Sequence, residues 1–220
     1  MTVHSPAERT PGGDKRERIL TAAERIFARH GFFAAKVSDV AKEAGVADGT
    51  IYLYFKSKDD LLIALFERRM LELTQALQGA IAGKSPREQL RAFIRMYLQK
   101  VHDEPAAAEV LTIELRQSSK FMKEYENPAF ADFLRMLGGI LAAAQASGHV
   151  TSSIPAHVAA RMIFGVLDEL TLAWVLAKAP FGGGSAGARP KKFDIVRAAD
   201  WVITLVTTGL EAKKETPCHY

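Results

Sequence analysis

The chain has 220 residues, of which 48% are hydrophobic, and a formal net charge of +4. That length and apolar content suffice for one large core or two small ones and exclude a chain that is disordered throughout. The positive balance permits a nucleic-acid partner without requiring one, because the first sixty residues carry ten Lys and Arg against nine acids.

Residues 1–13 hold two prolines and two glycines and read as a flexible arm. They lack the apolar core of a signal peptide. From Asp14 a helix is expected, with Ile19, Ala22, Ala23, Ile26 and Phe27 at helical spacing, Asp14 as its cap and Gly31 as its end. Ser38 is a good N-cap for a second helix, in which Asp39 suits the positive end and Val40, Ala41 and Ala44 form the buried face. Gly45-Val46 reads as a left-handed C-cap with its hydrophobic contact. Asp48 would cap a short third helix through about Phe55. A long fourth helix follows from about Lys58, with Leu61, Leu62, Leu65, Phe66, Met70 and Leu73 as its stripe.

Proline at a first helical position removes an N–H that would have no partner anyway. Helices are accordingly expected to start at Ser85-Pro86, Glu104-Pro105, Asn127-Pro128 and Ile154-Pro155, the second of these preceding the apolar-periodic stretch Val110, Ile113 and Leu115. Residues 201–208 (WVITLVTT) are β-branched enough for a strand. Their continuity with Ile195, Val196 and Ala199 favours a helix from Phe193 to Leu210. The fold class is all-α, with about nine helices. The stretch FGGGSAGAR at 181–189 reads as a hinge. A phosphate-cradling loop is excluded there, since the preceding strand and a Gly-Lys-Ser/Thr ending are both missing. No apolar run approaches the roughly 18 residues of a spanning helix, so no membrane partner is expected and the expected compartment is the cytoplasm. The one cysteine, Cys218, cannot form an intrachain disulfide and lies in a tail at 213–220. His4, His30, His102, His149, His157 and His219 are scattered, without metal spacing or a nucleophile setting. No catalytic residue, metal or cofactor is expected.

The third helix and its approach carry the functional signal. Two short helices joined by a tight turn, the second rich in hydroxyls and aromatics, are the pattern of a helix-turn-helix. Ala47, Gly49 and Thr50 lie at the end that reaches base edges; Gly49 permits close approach, and Thr50 offers a hydroxyl or a methyl. Tyr52 and Tyr54 can donate to phosphate, Lys58 can pair with one, and Ser38 opens a further anion site at a helix start. Taken singly, each tyrosine would more often be an amphipathic surface or core aromatic, and Lys58 a solvated charge.

The segments ILTAAERIFARHGF, VSDVAKEAGV and GTIYLYFKSKDDLL resemble the DNA-binding domain of the TetR family of transcriptional regulators. The resemblance covers about Asp14 to Phe66. It implies a DNA-binding domain at 14–60, an all-helical effector-binding and dimerisation domain at 61–212, and Ser38, Gly49, Thr50, Tyr52, Tyr54 and Lys58 as DNA contacts. Many relatives have a basic or neutral residue where Asp48 stands, so Asp48 is read as a cap. The resemblance further implies a homodimer through the last two helices, bound to a palindromic double-stranded operator. The middle helices would hold a hydrophobic effector, with Phe93, Met96, Tyr97, Arg116, Phe130, Phe133, Leu134, Leu137, Met162, Phe164 and Trp174 as candidates. For more than half of these, plain core packing is the expectation. Gly138, Gly139 and Gly165 hint at a cavity, since helix glycine costs about 1 kcal/mol relative to alanine. Residues Glu114 to Val150 are similar to regulators of fatty-acid degradation that respond to acyl-CoA. Arg91, Arg95, Arg116, Lys120 or Lys123 would then meet the anionic headgroup. The alternative effector is a lipophilic drug or aromatic compound, with efflux genes as targets.

Overall fold

Proline and glycine punctuate this chain, and the helices begin and end where they stand. The computed structural model describes residues 11–177 and 193–209; most of the arm, the glycine-rich stretch 181–189 and the tail with Cys218 lie outside them. Among the described residues there are ten α-helices, one 3-10 turn and no strand. The helices are α1 (Pro11–His30), α2 (Val37–Ala44), α3 (Asp48–Tyr54), α4 (Lys58–Ile81), α5 (Pro86–Asp103), α6 (Pro105–Thr112), α7 (Ser119–Lys123), α8 (Pro128–Ala146), α9 (Ala156–Leu176) and α10 (Ile195–Gly209), with the 3-10 turn at Glu114–Gln117.

Local chemistry sets these boundaries. Ser85 and Glu88 form a reciprocal capping box, the Glu88 carboxylate accepting from the Ser85 N–H at 3.1 Å and from its hydroxyl at 2.6 Å. The Ser85 hydroxyl and N–H hold that carboxyl below its usual range. Asn127 Oδ1 accepts from the Phe130 N–H at 3.0 Å, ahead of Pro128. Gly45 closes α2 at φ +64°, and the Val46 N–H reaches the Ala41 carbonyl at 3.0 Å, the bond pattern of a left-handed helix end.

Several expectations are corrected. α1 already begins at Pro11, so Asp14 lies in its first turn. Lys36 is the N-cap of α2 and Ala47 that of α3, which makes Ser38 and Asp48 helical residues rather than caps. α6 stops at Thr112, and the tenth helix is the short α7 that follows it. α8 is, by length and composition, apolar enough to cross a membrane, contrary to the sequence expectation. Its Phe133, Leu137, Ile140, Leu141 and Ala144 are nonetheless buried, and it packs on α5 and α9.

The described residues form two compact units that do not follow chain order. Those through Arg68 join Ile113–Tyr125; Arg69–Thr112 join those from Glu126 onward. A division at residue 60 would fall inside α4 and would miss the return of 113–125 to the first unit. In the first unit, Ile19, Leu20, Ala23, Phe27, Val40, Ala41, Ile51, Phe55, Leu61, Leu62 and Leu65 make the core. In the second, α5 packs on α8, α9 and α10, and α9 on α6, α8 and α10.

Candidate nucleic-acid interface and effector cavity

Ile51 and Phe55 are buried, so successive 100° steps along α3 turn Leu53 outward. Leu53 is 82% exposed and Tyr52 57%. Gly49 shares that side and is also exposed. Leu53 is not among the expected contacts, although its position midway between two core residues gives it away. An apolar tip of this kind suits the methyl group of thymine. Ser38 and Ala47 are exposed, while Thr50, Tyr54 and Lys58 are half-buried. Beside the Tyr52 flank lies an open concavity of about 460 Å³, lined by Ala35, Val37, Ser38, Asp48, Tyr52, Ser57 and Lys58.

Lys58 is engaged differently from the expectation. Its ammonium donates to the carbonyls of Phe32 (2.7 Å), Phe33 (3.1 Å) and Ala35 (3.1 Å) and lies 4.6 Å from the Phe32 ring centroid. An ammonium has three protons, and all three go to the α1–α2 loop. A phosphate contact would require exchanging one of these bonds.

The same loop is held from its other side by Glu114. This carboxylate is buried, accepts from the Phe32 N–H at 2.5 Å and from Gln117 Nε2 at 2.9 Å. Around it the 113–125 segment is fastened along α4. Ser118 Oγ donates to Asp59 at 2.5 Å, Lys120 Nζ to Asp60 at 2.6 Å and Tyr125 OH to Glu67 at 2.6 Å. Phe121 meets Phe66 edge-on at 5.1 Å. Burial, together with the Glu67 carboxylate, pushes the Tyr125 phenol well above its usual range. The bond from Lys120, with that from Ser57 and the charge of Lys56, holds the Asp60 carboxyl below its ordinary value. Glu114→Ala should strip a buried N–H of its acceptor, costing about 1–3 kcal/mol. Chemical denaturation followed by Tyr and Trp fluorescence would check this, and an unchanged midpoint would remove Glu114 from the anchorage.

In the second unit, Phe93, Tyr97, Phe130, Phe133 and Phe164 come together as one aromatic cluster, with centroid spacings of 4.8–6.1 Å. Phe93, Phe133, Leu137 and Trp174 are fully packed; Met96, Leu134 and Phe164 are half-buried and Met162 is exposed. A separate cavity of about 70 Å³ opens among α4, α5 and α6, lined by Leu73, Tyr97, Val101, Ala107, Ala108, Leu111 and Thr112 with Arg69, Glu72, Lys100 and Glu104. Of the expected lining residues, only Tyr97 reaches it. Its polar wall is internally paired: Arg69 bonds Glu72 at 2.6 Å and Glu104 at 3.0 Å, and Lys100 bonds Glu104 at 2.8 Å. The sequence carries a trace of this wall in the Arg69/Glu72 and Lys100/Glu104 spacings. Of the proposed headgroup cations, Arg95 pairs with Asp200 at 2.9 Å. Arg116, Lys120 and Lys123 belong to the first unit, and none of the five lines the cavity.

Two family models divide the chain between them. Residues 19–65 match the bacterial regulatory proteins of the tetR family, and residues 66–209 match the C-terminal region of YsiA-like proteins. The chain belongs to the TetR family. The fatty acid metabolism regulator protein of Bacillus subtilis is 33% identical to this TetR-family chain over 89% of its length and 95% of the relative's. The crystal structure of FadR from Bacillus subtilis in complex with stearoyl-CoA superposes with a TM-score of 0.77 at 33% identity, covering 89% of this chain and 99% of that one. The fatty acid degradation regulator FadR from Bacillus halodurans gives 0.76 at 30%, covering 89% and 99%. This TetR-family chain is thus a DNA-binding transcriptional regulator, all-helical among its described residues, and not an enzyme.

Proposed function

We propose that the protein is a cytoplasmic homodimeric repressor whose hold on a palindromic operator is released by a long-chain acyl-CoA. The observation that carries the effector is the 33% identity to a relative solved with stearoyl-CoA, which extends through the effector half. α3 enters the major groove, with Ala47, Gly49, Thr50, Tyr52 and Tyr54 toward the duplex and Ser38 at its edge. Two-fold symmetry then sets two such helices about 34–36 Å apart.

The cavity among α4, α5 and α6 is where entry would begin. Ligand pockets occupy about 300–1,000 Å³, so a cavity of about 70 Å³ must widen as the acyl chain enters. An anionic headgroup that reaches the polar wall competes with Glu72 and Glu104 for Arg69. Thr112 lines the cavity, and two residues further on Glu114 holds the Phe32 N–H. A ligand that displaces the end of α6 therefore pulls on the loop preceding the helix-turn-helix. Operator affinity falls by the ligand's differential affinity for the two states.

Fluorescence anisotropy on DNA from upstream of its own gene tests the whole reading. Micromolar stearoyl-CoA should release the protein while free CoA does not. Tight binding that no acyl-CoA disturbs, but that a lipophilic drug or aromatic compound relieves, would replace the lipid effector with the efflux-type one.

A further inference from the structure

A helix lying in the major groove, about 12 Å wide, has a phosphate strand on either side. The two flanks of α3 are built differently. On the Tyr52 flank the charged lining residues are Lys58 and Asp48, whose charges cancel, and the Lys58 protons are already donated to the α1–α2 loop. Tyr54, 200° around the helix from Tyr52, faces a second open concavity of about 340 Å³. Its lining is Arg16, Tyr54, Phe55, Lys56, Asp60, Ala64 and Lys120. Here three cations stand against one acid.

These cations are positioned from three parts of the chain. The Arg16 guanidinium lies 5.5 Å from the Phe55 ring centroid and 3.5 Å from the Glu17 carboxylate. Lys56 is exposed in the α3–α4 connection. Lys120 donates to Asp60 at 2.6 Å, a bond that uses one of three protons and fixes the ammonium at the concavity. An arginine and two lysines converging beside a recognition helix are the chemistry of phosphodiester recognition.

We propose that Arg16, Lys56 and Lys120 form a phosphodiester-binding site for the DNA strand on the Tyr54 side of α3, with Lys120 supplied by a segment that follows α6 in the chain. The proposal rests on α3 being the helix that enters the groove. It makes the Tyr54 flank the electrostatic anchor and gives the 113–125 segment a direct hold on DNA. Effector and operator then act on one stretch of chain.

The test uses the full-length protein and a random-sequence duplex of about 30 base pairs, with anisotropy read across a salt series. Each neutralised phosphate contributes about 0.9 to the slope of log affinity against log salt. Lys120→Gln and Lys56→Gln should each lower that slope by about one and cut the affinity gained between 200 and 50 mM salt about fourfold. Lys120→Arg should keep the wild-type slope. Asp60→Asn, which removes the acid, should tighten binding severalfold, a direction that damage to the fold would not produce. Wild-type slopes in both glutamine variants would overturn the site while leaving the regulator reading intact, whereas a wild-type protein that does not bind the duplex would overturn both. Because an acyl-CoA headgroup carries phosphates too, stearoyl-CoA binding without DNA is measured on Lys120→Gln. Unchanged affinity assigns the site to DNA; weakened affinity with an unchanged salt slope reassigns it to the headgroup and overturns the proposal.

Discussion

Lys58→Ala should destabilise the first unit by about 2–4 kcal/mol in the absence of any DNA. Three charge-assisted bonds to the carbonyls of Phe32, Phe33 and Ala35 disappear together with the contact to the Phe32 ring. Hydrogen bonds to charged groups are worth about 1.5–3 kcal/mol each but do not add when they share one donor group. Lys58→Arg should recover only part of the loss, because a planar guanidinium cannot converge on three carbonyls as an ammonium does. From sequence, Lys58 is simply a phosphate contact whose removal lowers the salt slope by about one. Thermal unfolding of the free protein separates the two roles. A melting temperature equal to wild type would return Lys58 to the phosphate contacts alone.

Trp201→Glu should turn a dimer into a monomer and abolish high-affinity operator binding. Trp201 is 54% exposed on α10, and the adjacent α9 presents Met162 at 58% and Val158 at 38%. A tryptophan presents about 150–250 Å² for burial. Covering its exposed half at about 25 cal/mol/Å² gives roughly 2–3 kcal/mol. Two-fold symmetry counts that contribution twice, so dimer dissociation should strengthen by about three to four orders of magnitude. Met122→Glu supplies the control, since Met122 is 58% exposed but belongs to the first unit. Sedimentation equilibrium reads both variants. A Trp201→Glu protein that stays dimeric at micromolar concentration would move the interface away from α10.

Most helix boundaries are legible because they are local events. Ser85 with Glu88, Asn127 before Pro128 and the left-handed Gly45 act within four residues, and propensity reads them directly. The outward face of α3 is legible for a related reason: Ile51 and Phe55 mark the core side of a single short helix, leaving Tyr52 and Tyr54 beside its crest. What escapes the sequence is non-local. Phe32 and Glu114 are 82 residues apart, and no periodicity announces that a carboxylate on a 3-10 turn will meet that amide. The use of Lys58 is hidden similarly, because a lysine at a helix start looks alike whether it faces phosphate or carbonyl oxygens. The cavity among α4, α5 and α6 is not legible from the large apolar side chains. Phe93 and Phe133 fill space, and the small Ala107 and Ala108 on α6 leave it.

The return of residues 113–125 to the first unit also orders events during synthesis. Chains emerge from the ribosome at about 5–20 residues per second, and their early parts begin to fold first. When the nascent chain has reached Arg68 it has all three helices of the reading head, yet the Phe32 amide has no Glu114 and Asp59 no Ser118. The head thus waits for several more seconds of translation, through α5 and α6, before its last anchors arrive. A protein cut after α4 would carry every side chain of the helix-turn-helix and still lack the fastening that the later chain supplies.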